Sequence, residues 1–131
     1  MTASDAAWVD YEWVTLRVVP RVHTEQFACV GVLLHARQAS ILEARLASDW
    51  AARVETLAPS LDLERLERHL ETYVAICAGD ESAGPVALLP PSERVHWLTH
   101  PRSGILQTSP RHPGRTQDPA RTLSALLDEQ C

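Results

Sequence analysis

The sequence predicts an α+β fold in which one antiparallel sheet of about four strands is covered by helices. Three observations predict it. Three strand-like segments joined by short links lie near the start of the chain, which is typical of an antiparallel meander. A long amphipathic helical segment over Leu61–Ala78 supplies the main cover for the sheet. A later strand-like segment, Ser103–Ser109, is placed to rejoin the sheet.

The three strands of the meander differ in their hydrophobic patterns. Tyr11–Val19 alternates apolar and polar residues, as a half-buried strand does. Phe27–Leu34 is apolar on both faces, so it belongs in the middle of a covered sheet. Gly31 inside this segment indicates a bulge or a close backbone approach. Ile41–Ala47 alternates again and completes the meander.

The helices are expected on one side of the sheet, so the second face of the sheet is expected to have no helical cover. That face carries Trp13, Thr15 and Arg17 of the first strand. Because these side chains are mixed in polarity, we expect the face to be exposed to solvent or to form an interface.

Capping residues mark the ends of the helices. Gly79 is placed to end the long helix. Asp118 is placed to cap a final helix, with Pro119 in its favoured first position. Ser48 is the expected cap of a shorter helix near Trp50. Pro110–Gln117, which precedes the final helix, is predicted to be a Pro/Gly loop.

Two shorter segments lie between the long helix and the last strand. Pro85–Leu89 is apolar and is expected to be a strand or an extended segment. Ser92–Leu98 is predicted to form at most two turns of helix before Pro101.

Length and charge place the chain in a broad class. Its 131 residues suit a flexible N-terminus over residues 1–10 and a single α+β domain over residues 11–131. The net charge of −5 disfavours general binding to nucleic-acid phosphates. No apolar run is long enough to span a membrane, and no basic segment followed by an apolar run indicates a secretory signal. We therefore expect a cytoplasmic protein.

Cysteine usage supports the same expectation. The three cysteines are odd in number, far apart and form no CxxC pair. This pattern favours reduced thiols over a disulfide framework. Cys29 lies in the apolar strand and Cys77 on the apolar helix face, so both are predicted to be buried structural thiols.

Arginine supplies all twelve basic residues of the chain. Codon bias in a GC-rich genome explains this without any function, whereas selection for bidentate anion binding explains it through the planar guanidinium. The residues alone leave both explanations open.

One stretch, Arg94–Asp118, is mostly non-periodic and concentrates arginines, histidines and hydroxyl groups. Such side chains on loops are what an anion site requires. The predicted anion or partner site consists of Arg94, Arg102, Ser103, Gln107, Ser109 and His112. The alternative, which the residues alone favour, is a solvated loop whose arginines pair with carboxylates.

A metal site or a cofactor is not expected. His96 and His100 have the spacing of a helical zinc pair, but Trp97 occupies the position of the catalytic Glu and Pro101 cuts the helix short. The sequence also contains no GxSxG, no Walker phosphate loop and no GxGxxG motif.

The order and spacing of several short motifs point to a known family. These motifs are Arg17-Val-Val-Pro20, Val30-Gly31-Val32-Leu33, Arg94-Val-His-Trp97-Leu, Pro101-Arg102-Ser103, Gln107-Thr-Ser109-Pro110, His112, Gly114 and Asp118-Pro119. From about Tyr11 to Leu127, the chain resembles the bacterial family known as domain of unknown function 3037. That family usually has Asn where this chain has Cys29.

The resemblance implies a partner and no particular chemistry. Genes of the family commonly lie beside genes for HipA-type serine/threonine kinase-like proteins, so a HipA-type partner is implied. We therefore expect an accessory protein that binds this partner or forms a homodimer. The first alternative is a small enzyme for a phosphate- or carboxylate-bearing substrate, with Arg94 and Arg102 as anion clamps and His112 as acid or base. The second is sequence-specific nucleic-acid binding through the same arginines.

Overall fold

The computed structural model describes residues 7–21, 24–100 and 104–131. The described residues form a five-stranded antiparallel sheet and four α-helices packed on it, which confirms the predicted α+β class. The strands are β1 (Val9–Val18), β2 (Ala28–Ala36), β3 (Ile41–Leu46), β4 (Leu106–Thr108) and β5 (His112–Thr116). The helices are α1 (Trp50–Leu57), α2 (Leu63–Ala78), α3 (Pro91–Leu98) and α4 (Pro119–Gln130).

The sheet is built around β1 and β2. The predicted meander is present, with β2 between β1 and β3. The free edge of β1 is shared by two short strands. β4 pairs with its residues Leu16–Val18, and β5 pairs with its residues Val9–Trp13.

β5 lies inside Pro110–Gln117, so the prediction of a loop there is wrong. The segment contains Pro113 and Gly114, which are both unfavourable in a central strand. At the edge of the sheet a proline is tolerated, because only one side of the strand has to hydrogen-bond. Gly114 also faces the ring of Tyr11 so closely that a Cβ atom there would overlap it.

The larger core lies between one face of the sheet and helices α1, α2 and α3. Val14, Leu16 and Val18 of β1 face it, as their alternation predicts. α2 contributes Leu66, Leu70, Tyr73, Ile76 and Cys77. The helix begins after Asp62, whose side chain accepts from Arg65 N, and ends at Gly79 with a φ of 76°. The predicted C-terminal glycine cap is confirmed.

The second face of the sheet is covered by α4, so the expectation of helices on one side only is wrong. Leu123 and Leu126 of α4 pack against Val32, Leu34 and Ala36 of β2. The physical reason lies in β2, whose residues are apolar on both faces and have to be shielded from water on both. Thr15 and Trp13 on this face are accordingly buried and half-buried.

Gly31 lies at both a bulge and a close backbone approach, the two features that a glycine inside a strand indicates. The pairing of β1 with β2 shifts in register between Leu16 and Arg17, opposite Gly31 and Cys29. A Cβ atom on Gly31 would lie 2.5 Å from the backbone oxygen of Arg45. Only glycine therefore lets β3 approach β2 at this point.

Two of the three cysteines are joined, so the prediction of reduced thiols without a disulfide is wrong for this structure. Cys29 in β2 and Cys131 after α4 form a disulfide with a Cα–Cα distance of 5.3 Å. The residues are 102 positions apart in sequence, and the return of α4 over the sheet brings them together. Cys77 is a buried free thiol as predicted, and burial raises its pKa to about 12.

The shorter elements differ in detail from their predictions. Helix α1 is preceded by Asp49, and no side chain caps it, so Ser48 is not its cap. Pro85–Leu88 forms a short 3-10 helix, where a strand or an extended segment was expected. α3 and the Asp118 cap of α4 are present as predicted. None of the helices in the described ranges has the length and apolarity needed to cross a membrane.

Candidate functional site

Arg94, the first residue of the predicted anion site, holds two helices together. From α3 its Nη1 donates to the carbonyl of Leu89 at 2.7 Å, and its Nη2 donates to the carbonyl of Cys77 at 3.4 Å. A Cβ atom on Gly79, which ends α2, would lie 3.5 Å from the guanidinium carbon of Arg94. Arg94 therefore satisfies the Cys77 carbonyl in the last turn of α2, as a basic residue near a helix C-terminus does, and the Leu89 carbonyl just before α3.

Ser109 holds the junction between β4 and β5. Its Oγ accepts from Thr15 N at 2.9 Å and donates to the carbonyl of Pro110 at 2.9 Å. Its backbone N–H donates to the carbonyl of Thr15 at 3.0 Å. Because Pro110 has no N–H, the serine hydroxyl completes the ladder where the two edge strands meet.

The remaining members of the predicted site have other neighbours. Gln107 Nε2 donates to the carbonyl of Gly104 at 2.9 Å. The ring of His112 stacks on Trp13, with centroids 4.5 Å apart. Arg102 and Ser103 lie outside the described residues. The four described members thus make separate contacts, and anion binding by the set stays a prediction.

Two other arginines of the Arg94–Asp118 stretch pair with carboxylates of β1. Arg111 Nη1 lies 3.2 Å from Glu12 Oε2, and Arg115 Nε lies 3.7 Å from Asp10 Oδ1. Arg111 Nη2 also donates to Thr99 Oγ1 at 2.8 Å. These contacts agree with the alternative that the arginines of this stretch pair with carboxylates.

A groove lies between α2, α3 and the segment before β4. We call it the α2–α3 groove, and its volume is about 730 Å³. Its apolar lining consists of Leu61, Leu66, Tyr73, Ile76, Trp97, Ile105 and Leu106. Asp62, Arg65, His69 and Thr72 supply its polar groups.

Helical periodicity explains how α2 contributes both kinds of residue. Leu66, Tyr73 and Ile76 lie on the side of α2 that turns to the core. Arg65 and His69 lie on the adjacent, exposed side. The groove follows the boundary between the two sides, so one wall is apolar and the other is polar.

Two large apolar side chains in this groove remain accessible to solvent. Trp97 in α3 is 42% exposed, and Ile105 is 40% exposed. Tyr73 Oη donates to the carbonyl of Leu98 at 3.0 Å, and this hydrogen bond joins α2 to the end of α3. Sequence reasoning missed the groove, because its walls come from segments that only the tertiary fold brings together.

Among the residues that the structure describes, no three or more His, Cys, Asp or Glu side chains are grouped to hold a metal ion. The rings of His96 and His100 are tilted, with centroids 6.2 Å apart.

Comparison with known proteins identifies a family. No curated protein and no solved structure matches the chain. The family described as "Protein of unknown function (DUF3037)" matches residues 13–131, which include every strand and helix described above except the first residues of β1. The chain therefore belongs to the DUF3037 family.

Proposed function

We propose that this protein is a non-enzymatic accessory protein that binds an amphipathic helix of a HipA-type kinase-like partner in the α2–α3 groove. The observation that carries the proposal is the exposure of Trp97 and Ile105, 42% and 40%, within a mostly apolar groove. Grouped apolar side chains that remain accessible to water are typical of interaction sites. The partner itself is the one that resemblance to the family implies.

The chemistry of the groove favours a helix as its occupant. An amphipathic helix binds by placing one apolar stripe into such a groove. Trp97 supplies a large aromatic surface of the kind that dominates binding energy at interfaces. Arg65, His69 and Asp62 lie beside the apolar wall and are placed to contact the polar flanks of the helix.

The experiment measures binding to the purified kinase-like protein by isothermal titration calorimetry. Trp97→Ala and Ile105→Glu are expected to weaken binding at least tenfold, because each removes apolar contact area or introduces a charge into it. Leu88→Glu is the matched control. Leu88 is 67% exposed and does not line the groove, so its variant is expected to bind like the native protein.

Two outcomes would contradict the proposal. Binding of equal strength in the groove variants and the native protein would place the interface elsewhere. Sedimentation could instead show that the chain alone dimerises and that the groove variants are monomeric. A second copy would then replace the kinase-like protein as the occupant.

A further inference from the structure

His35 is a polar residue inside the otherwise apolar strand β2. It faces the larger core beside Leu33, opposite Glu12 of β1, and is 9% exposed. Its Nε2 is buried and makes no hydrogen bond to any described group. A buried polar atom of this kind normally has a partner, so its position calls for one.

A cavity of about 400 Å³ lies against His35, and we call it the His35 cavity. Its lining includes Asp10, Glu12, His35, Arg37, Ser92 and Arg111. Ser92 is the second residue of α3, so the positive end of that helix dipole borders the cavity. None of these residues lines the α2–α3 groove.

Two carboxylates and two arginines line the cavity, and the two arginines differ in their pairing. Glu12 pairs with Arg111, and Asp10 pairs with Arg115. Arg37 lines the cavity, is exposed, and forms no ion pair with any described residue. Arg37 is therefore the arginine of the lining that has no carboxylate partner among the described residues, and the same lining contains the buried ring nitrogen of His35 that lacks a partner.

We infer that the His35 cavity binds a small monoanionic carboxylate, which accepts hydrogen bonds from the guanidinium of Arg37 and from Nε2–H of His35. A guanidinium matches a carboxylate in geometry and can donate two parallel hydrogen bonds to it. A second negative charge on the ligand would be repelled by Glu12 and Asp10, so a phosphate dianion fits the cavity less well.

The protonation of His35 agrees with this role. Burial lowers its pKa below the ordinary value of 6.5, and Arg111, Arg37 and Arg94 act in the same direction. Glu12 opposes them. The ring is therefore neutral at neutral pH, and a carboxylate selects the tautomer with its proton on Nε2.

The test follows the His35 ring nitrogens by NMR while acetate, pyruvate, benzoate or inorganic phosphate is added to the native protein. We expect a saturable shift of the His35 resonance with at least one of the three carboxylates. Phosphate is expected to bind at least tenfold more weakly. Arg37→Gln, a change at an exposed side chain, is expected to weaken carboxylate binding at least tenfold.

Arg68→Gln is the matched control, because Arg68 is an exposed arginine on α2 that does not line the cavity. It is expected to bind the carboxylate like the native protein. The inference is overturned if no carboxylate gives a saturable shift up to the millimolar range, or if Arg37→Gln binds as tightly as the native protein. Phosphate binding of equal strength would overturn the choice of a monoanion. None of these results depends on the kinase-like partner, so failure here is distinguishable from failure of the proposed function.

Discussion

Ser109 hydrogen-bonds to the backbone of β1, a structural role that its place in an arginine- and histidine-rich stretch does not suggest. Its hydroxyl was predicted to contact an anion, yet it accepts from the buried N–H of Thr15. The neighbouring Pro110 explains the arrangement, since a proline supplies no donor at this junction. A polar residue beside a proline in a non-periodic stretch can thus form a hydrogen bond that the backbone needs. The sequence alone does not distinguish this role from ligand binding.

We expect Ser109→Ala to lower the free energy of unfolding by about 1–3 kcal/mol, because the N–H of buried Thr15 loses its acceptor. Urea unfolding measures the change. Ser48→Ala is the control, since Ser48 is exposed and caps no helix, and its change should stay within about 0.5 kcal/mol. Equal stability of the two variants would mean that the Ser109 hydroxyl contributes nothing to the sheet.

His35 makes stability depend on pH in a defined direction. Its folded-state pKa lies below the ordinary value of 6.5, mainly because it is buried. As the pH falls through about 6.5, the unfolded chain takes up a proton that the folded protein does not. The contribution of His35 to stability is therefore complete above that pH and is lost progressively as the pH falls toward the folded-state pKa.

We expect the free energy of unfolding to decrease between about pH 7 and about pH 5, and His35→Gln to reduce this slope. Urea unfolding at a series of pH values measures it. His69→Gln is the control, because His69 is exposed on α2. The explanation fails if the native protein, His35→Gln and His69→Gln share one slope.

The elements that the sequence predicts correctly are those whose own residues determine them. The meander and α2 have strong periodicity, and the residue just before α2 and before α4 caps the helix with its side chain. β5 was missed because its backbone is held by β1, and this partner overrides the turn propensity of Pro113 and Gly114. The packing of α4 on the second face of the sheet was missed as well, although β2 is apolar on both faces and therefore needs a cover on each.

The cap of α4 gives a prediction at this scale. The carboxylate of Asp118 accepts from Arg121 N at 3.2 Å, so Asp118→Ala should lower the free energy of unfolding by about 0.5–2 kcal/mol. Asp118→Asn keeps an acceptor and should retain most of the stability. Asp128→Ala, an exposed change near the other end of α4, is the second control. A loss as large in Asp128→Ala would show that the effect is one of charge and not of capping.

At the scale of the whole molecule, prediction from the sequence reaches its limit at contacts between distant segments. The α2–α3 groove joins Leu61, Trp97 and Ile105, and the His35 cavity joins β1, β2, α3 and β5. Periodicity assigns a side chain to one face of its own element, but it does not specify which other element lies across from it. The predicted site was drawn from a single stretch of chain, whereas both cavities are assembled from several.

The disulfide between Cys29 and Cys131 also joins distant segments, and it closes a loop that includes nearly all of β2, β3 and the four helices. Its Cα–Cα distance of 5.3 Å lies within the range that disulfides adopt. The bond ties the end of α4 to β2, so it restricts the unfolded chain and keeps the second face of the sheet covered.

We expect Cys131→Ser to lower the free energy of unfolding by about 2–4 kcal/mol without reductant, because a cross-link over 102 residues no longer restricts the unfolded chain. With reductant the native protein and the variant should have nearly equal stability. Thiol titration of the unfolded protein should find one free thiol, that of Cys77, before reduction and three afterwards. Three free thiols before reduction would contradict the cross-link. Equal stability of variant and oxidised native protein would mean that packing of Leu123 and Leu126 alone holds α4 on the sheet.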